Sequence, residues 1–412
     1  MAKIVFLMDI EEGHLLPSFA LAHSLKRRGH EICYLSVIDN EELVKAQGFT
    51  FKPIFEKWYP RDFRRKMKRL PLAENGKNIR PFDDLKYRRL EQIADGSYDA
   101  CFGDMQADMV IISVFLRVDI FLLYYKFNIR PVILTPFLRE PGKTLAAECM
   151  ESFLSIPPSD LGLLIEHLMN LNKTFTSMTQ IIDPVNTLHE LILCPLQFEI
   201  EGADQNPKKR YIGPSIRKKE GVANIRSLYG IPGNKGIIYA SIGSQGVRYR
   251  EHGEHFFRKM INAMKSPEMQ HLHMVLSIGP EYDKDLLALL PPNITALSWV
   301  AQIDVLEVAV VAVIHGGLGT VKECIYYGVP MLVFPIANDQ PMNAQRVSHH
   351  KLGISGDITT ISEKELLAHI LDLSHNVEIR QSVEKIRDIF REQDKSELGA
   401  KVVETILASG PL

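Results

Sequence analysis

The apolar positions of this chain fall in short β-branched runs separated by longer amphipathic stretches. Residues 3–8 (KIVFLM) and 31–36 (EICYLS) read as buried strands. Between them Phe19, Leu21, Ala22 and Leu25 share one helical face, with Pro17 suited to the first turn and Arg27-Arg28-Gly29-His30 closing the helix. Further strands are expected at 131–136, 191–198, 236–240, 273–277, 308–314 and 331–335. Residues 321–327 read as a helix that Gly328 ends in the left-handed conformation and Pro330 keeps ended. The Leu/Ile/Val spacing of 361–409 predicts a helical tail. Strands alternating with helices imply an α/β protein with doubly wound parallel sheets. A polar stretch rich in Gly, Pro and Lys, with Tyr211-Ile212-Gly213-Pro214 at its middle, marks a linker over 206–235. It divides a first domain, 1–205, from a second, 236–390, and 391–412 forms the end of the tail.

With 412 residues the chain is long for one domain and comfortable for two. Its net charge of -2 exerts no global pull on nucleic acid or membranes. Cys33, Cys101, Cys149, Cys194 and Cys324 are odd in number and scattered, which fits reduced thiols in a cytoplasmic protein without a metal site. The start lacks a signal-peptide pattern, and the most apolar run, 109–125, is cut by Arg117 and Asp119, which argues against a membrane span. Residues 57–90 depart from this balance, with twelve Lys and Arg against four acids, a local +8. Such a run is ordinarily a solvated helix face; the sharper alternative is contact with an acidic acceptor, a carrier protein or an anionic surface. Asp283-Lys284-Asp285 has metal-site lettering but opens the apolar run 286–290, so it reads as acids at a helix start.

The chemistry concentrates in 299–346. After the strand 308–314 comes His315-Gly316-Gly317-Leu318-Gly319-Thr320, a glycine-rich turn leading into a helix. Backbone N–H groups at a helix start and the helix dipole make such a turn an anion site, and His315 adds a possible donor. Glu323 lies about one turn further on, where a carboxylate can accept from a ribose diol. Asp339 and Gln340 follow the next strand at the carboxyl edge, and Trp299 offers a flat face for a base with the Gln302 amide nearby. Ser241-Ile242-Gly243-Ser244, after the strand 236–240, is a second small-residue turn that permits close approach to phosphate or sugar. Any one of these features alone is an ordinary βα turn; their order is not. In the first domain, His14 follows the carboxyl end of strand one, where doubly wound sheets bind ligands.

The order and spacing of Trp299, Gln302, His315–Thr320, Glu323, Gly328–Pro330, Asp339, Gln340 and Asn343 resemble the donor signature of nucleotide-sugar glycosyltransferases of the UGT type, closest to the bacterial branch that decorates macrolides and other natural products. Gly13-His14-Leu15-Leu16-Pro17 is similar to that family's catalytic loop. The resemblance implies the GT-B fold, two Rossmann-like domains facing a cleft, with the tail crossing back onto the first domain. It implies an inverting, metal-independent transfer from a nucleoside-diphosphate sugar (UDP or dTDP) to a hydroxyl of a small, largely apolar acceptor, with no further cofactor, in a monomer or homodimer. By it, Trp299 stacks on the base, Glu323 holds the ribose, His315, Gly317, Gly319 and Thr320 the diphosphate, and Asp339 and Gln340 the sugar, with Ser241, Gly243, Ser244, Val300 and Gln302 also in the donor site. His14 becomes the general base, for which an imidazole is suited. The family's partner acid for that His ends a strand whose counterpart here, 107–113, ends in Ser113. Asp119, Asp104, Glu11 and Glu12 are the candidates to replace it, Asp119 first. Two other readings are a MurG-like transferase on a lipid-linked acceptor and a non-catalytic auxiliary that keeps the fold.

Overall fold

The computed structural model describes residues 1–68, 89–103, 105–171, 173–217, 221, 224–243, 250–279 and 290–409. The chain clusters into two compact units. One comprises 1–193, 202–215 and 397–412, and the other 194–201 and 216–396.

The first unit is built on a seven-stranded sheet of β1 (Lys3–Leu7), β2 (Glu31–Ser36), β3 (Thr50–Pro53), β4 (Met109–Ser113), β5 (Val132–Thr135), β6 (Glu190–Ile192) and β7 (Lys209–Tyr211), in the order β3-β2-β1-β4-β5-β6-β7. Every adjacent pair is parallel. Parallel strands need both faces covered, so their sequences run apolar without alternation. In β1, Ile4 and Phe6 enter one core cluster and Val5 and Leu7 the other. The run 191–198, expected as one strand, is shorter: Pro195 has no N–H for a ladder, and Leu196–Phe198 forms a 3-10 turn.

The second unit has six strands, β8 (Gly236–Ser241), β9 (Leu272–Ser277), β10 (Ile294–Leu297), β11 (Ala309–Ile314), β12 (Met331–Val333) and β13 (Gly353–Ser355), ordered β10-β9-β8-β11-β12-β13, again all parallel. Its core joins these strands to Phe256, Phe257 and Met260 of the helix Arg250–Met264 and to Leu366, Ile370 and Leu373 of the helix Glu363–His375.

In both sheets the strand order reverses at the first strand, between β1 and β4 and between β8 and β11. Neighbouring βα loops diverge to opposite faces there, leaving a crevice at the carboxyl ends of the strands. All five cysteines are free thiols. No helix among the described residues is long and apolar enough to cross a membrane.

Candidate active site

In the first unit the reversal point carries an acid–histidine pair. β1 ends at Leu7, opposite Ile112 of β4, so the residues that follow each strand emerge side by side. Asp9 leaves the end of β1, and the turn Glu12–Leu15 brings His14 back over it, with Nδ1 of His14 2.8 Å from Oδ1 of Asp9. The other oxygen, Oδ2, accepts the Ser113 hydroxyl at 2.5 Å, and the Glu11 N–H donates to Oδ1 at 2.9 Å. Burial alone pushes the Asp9 carboxyl up, but the charge and hydrogen bond of His14, with Ser113 and Glu11, hold it below the usual carboxylate value. A charged carboxylate only accepts, so Nδ1 of neutral His14 carries the proton and Nε2 is left with its lone pair. The imidazole lies flat on Phe115, ring centroids 3.6 Å apart at 9°.

The loop under this pair is fixed from its other side. Ser36 Oγ donates to the Met8 carbonyl at 2.8 Å and the Asn40 amide to the Asp9 carbonyl at 2.9 Å. Arg64 donates to the Ile10 carbonyl and pairs with Glu12 at 3.1 Å.

The carboxylate on His14 is therefore Asp9 and not Asp119. Asp119 is buried in the helix Arg117–Lys126 and accepts the Tyr98 hydroxyl. Ser113 does occupy the end of β4, but as a donor to the acid from the neighbouring strand. Glu12 is held by Arg64, and Glu11 supplies its backbone. Asp104 lies outside the described residues. Asp9 is visible in sequence as an acid just after an apolar strand, five positions before the histidine; its role comes from the turn Glu12–Leu15 that folds His14 back over it, which no strand pattern encodes.

The basic stretch is partly described, and several of its charges there are paired. Lys57 pairs with Asp95, Arg61 with Glu41 and Arg64 with Glu12. Residues 69–88 lie outside the described residues.

In the second unit β8 and β11 pair Ser241 with Ile314, so the turns after them abut. Ser241 Oγ accepts the Gly243 N–H at 3.1 Å. Gly243 has φ +81, and a Cβ there would lie 2.4 Å from Cε1 of His315, so only glycine lets the imidazole rest on that turn. Gly316 is constrained likewise, with φ +87 and a Cβ 2.8 Å from Val333 Cγ1. Burial lowers the His315 pKa to about 4, so the ring is neutral at pH 7, and its Nδ1 is buried without a partner. The helix Leu318–Tyr327 starts here, capped by Gly317. Its first helical bond runs from Val321 N to Gly317 O at 3.0 Å, so the N–H groups of Leu318, Gly319 and Thr320 precede it. A Cβ on Gly319 would meet open space, and Trp299 is 66% exposed while Val300 beside it is buried. The turn thus presents backbone donors and a neutral imidazole, and the Trp299 indole is exposed.

Glu323 is buried one turn along and belongs to a network. Arg217 donates through Nε to Oε1 at 2.6 Å and through Nη2 to Oε2 at 2.9 Å. The Gln302 amide also donates to Oε2, and its oxygen accepts the Tyr239 hydroxyl at 2.7 Å. Arg217 and Tyr239 carry no motif and lie far from Glu323 in sequence, so sequence reasoning missed both. Asp339 starts the helix Gln340–His349 and accepts from Asn343 at 2.9 Å; Asn343 also donates to the Gly316 carbonyl at 2.9 Å, tying this helix to the glycine turn. The Gln340 side chain accepts the Ile336 and Ala337 N–H groups at 2.8 and 3.0 Å. Ser244, Asp283 and Asp285 lie outside the described residues, and among those described no group of three or more His, Cys, Asp or Glu is placed to hold a metal.

Comparison with known proteins gives this geometry a context. Residues 207–402 match the family model described as UDP-glucoronosyl and UDP-glucosyl transferase. An uncharacterized UDP-glucosyltransferase of Bacillus subtilis, YdhE, is 25% identical over 98% of this chain and 99% of its own length. Demethyllactenocin mycarosyltransferase of Streptomyces fradiae is 22% identical over 99% of this chain and 87% of its own. Among solved structures, the glycosyltransferase of kitacinnamycin superposes with a TM-score of 0.77 at 23% identity, covering 98% of this chain and 99% of that one.

Proposed function

We propose that this chain, whose residues 207–402 match the UDP-glucoronosyl and UDP-glucosyl transferase family model and whose fold is the GT-B fold of glycosyltransferases, is an inverting enzyme that moves a sugar from a nucleoside diphosphate to a hydroxyl of a small, largely apolar natural product. The observation that carries the reading is the Asp9–His14 pair at the β1–β4 reversal point, with Nδ1 of His14 turned to the acid. In this reading the acceptor hydroxyl gives its proton to Nε2 while its oxygen bonds to the anomeric carbon from the face opposite the nucleotide. The bond from that carbon to the diphosphate oxygen breaks and configuration inverts. Asp9 stabilises the imidazolium that forms. Negative charge growing on the diphosphate is met by the N–H groups of Leu318–Thr320, the helix dipole and the neutral His315, without a metal ion. Trp299 takes the base, Glu323 the sugar of the nucleoside, and Asp339 with Gln340 the transferred sugar. The relatives named for demethyllactenocin and kitacinnamycin support a natural-product acceptor. His14→Ala tests this reading. Nucleoside diphosphate affinity by calorimetry should hold, since the donor residues all belong to the other unit. Turnover should fall by about two to four orders of magnitude, the usual yield of a positioned base. A variant that turns over normally removes His14 from the chemistry.

A further inference from the structure

A carboxylate has two lone pairs on each oxygen, about four acceptor sites in all. At Glu323 three are taken. Oε2 receives both Nη2 of Arg217 and Nε2 of Gln302, which fills it, and Oε1 receives Nε of Arg217. One site on Oε1 remains. The Glu323 side chain is 4% exposed, while that of Arg217 over it is one-third exposed. The orientation of the Gln302 amide is fixed because its oxygen faces the Tyr239 hydroxyl and its nitrogen the acid, leaving it no second choice. A ribose presents two adjacent hydroxyls, a 2′-deoxyribose one. We propose that Arg217 makes the nucleoside site selective for a 2′-deoxyribonucleoside diphosphate over its ribose counterpart. The proposal rests on the reading of Glu323 as the residue that meets the nucleoside sugar. The single open site accepts the 3′-hydroxyl; a 2′-hydroxyl brought in beside it would lose its water and find the acid already saturated.

The test separates the sugar from the base by titrating calorimetrically with UDP and dUDP, which share uracil and diphosphate and differ only at the 2′ position. The unaltered chain should bind dUDP at least tenfold more tightly, a difference of about 1.4 kcal/mol. Arg217→Met should free one site on each oxygen and bring the two affinities to within about threefold by strengthening UDP. Equal affinities in the unaltered chain overturn the proposal while leaving the donor site standing. A preference that persists undiminished in Arg217→Met overturns the role given to Arg217. Binding of neither nucleotide removes the donor reading and this selectivity with it.

Discussion

At Asp9 both carboxylate oxygens are engaged, Oδ1 by His14 and the Glu11 N–H and Oδ2 by Ser113. Asp119 is engaged as well, but by Tyr98 inside the core. The two acids therefore answer to different measurements. Asp9→Asn keeps an acceptor for Nδ1 and loses the charge that supports the imidazolium, so turnover should drop by about 10²–10⁴. Combined with His14→Ala it should add almost nothing, because the two act as one unit. Asp119→Asn should leave turnover close to the original and appear in the unfolding curve, as a loss of about 1–3 kcal/mol from the weakened Tyr98 bond. Steady-state kinetics of both single variants and the Asp9–His14 double variant decide between them; an equal kinetic loss in both single variants would defeat the assignment.

The elements that sequence reads well are those whose parts are close in the chain. The glycine turn, its helix and the acid within it occupy 315–327, and a strand–turn–helix period makes them legible. The two contacts that complete the sites are not local. Ser113 reaches Asp9 across 104 positions because β1 and β4 are neighbours, and Arg217 reaches Glu323 across 106. Strand order is decided by how a whole sheet packs, and no periodicity within one strand encodes it. The last helix, Leu398–Ala408, is an intermediate case. The spacing of Ala400, Val403 and Ile406 declares a buried face, and the fold shows which core receives it, that of the first unit. Its outer face is pinned by Arg27 to Glu397 at 2.6 Å and Arg28 to Glu404 at 2.6 Å. The Arg28 hydrogen bond lowers the Glu404 carboxyl to about 2, yet both side chains of that pair are about one-third exposed, so solvent screens it. Apolar burial should outweigh the ion pairs here. Ile406→Ala is expected to cost about 2–5 kcal/mol and Glu404→Gln less than about 1 kcal/mol in denaturant melts. The reverse ranking would mean that charge holds this helix.

Among the described residues, the histidines whose pKa moves clearly move the same way. His167, His189, His273, His315 and His350 are each lowered, first of all by burial, and His273 and His315 fall to about 4 from 6.5. His273 sits on β9 with Nε2 2.9 Å from the Thr295 hydroxyl, and its Nδ1, like that of His315, is buried without a partner that would welcome a proton. Between pH 6.5 and 4 the unfolded chain therefore binds protons at these sites that the folded chain refuses, and stability rises with pH across that window. Asp9, whose folded pKa lies below 3.8, contributes stability that is whole above that value and lost only as pH falls through its lower folded one. The histidines thus govern the weakly acidic range and the carboxylate a more acidic one. Each unmatched proton is worth about 1.4 kcal/mol per pH unit, so urea melts between about pH 7 and 5 should show falling stability with little change above pH 7. His273→Gln removes one of the protons that the unfolded chain takes up. It should flatten the slope by up to that amount, even if it lowers stability at pH 7 through the lost contact with Thr295. The slope, unlike the midpoint, is insensitive to that loss of packing. A stability that holds level or climbs as the pH drops from 7 to 5 would show that these imidazoles accept protons in the folded chain.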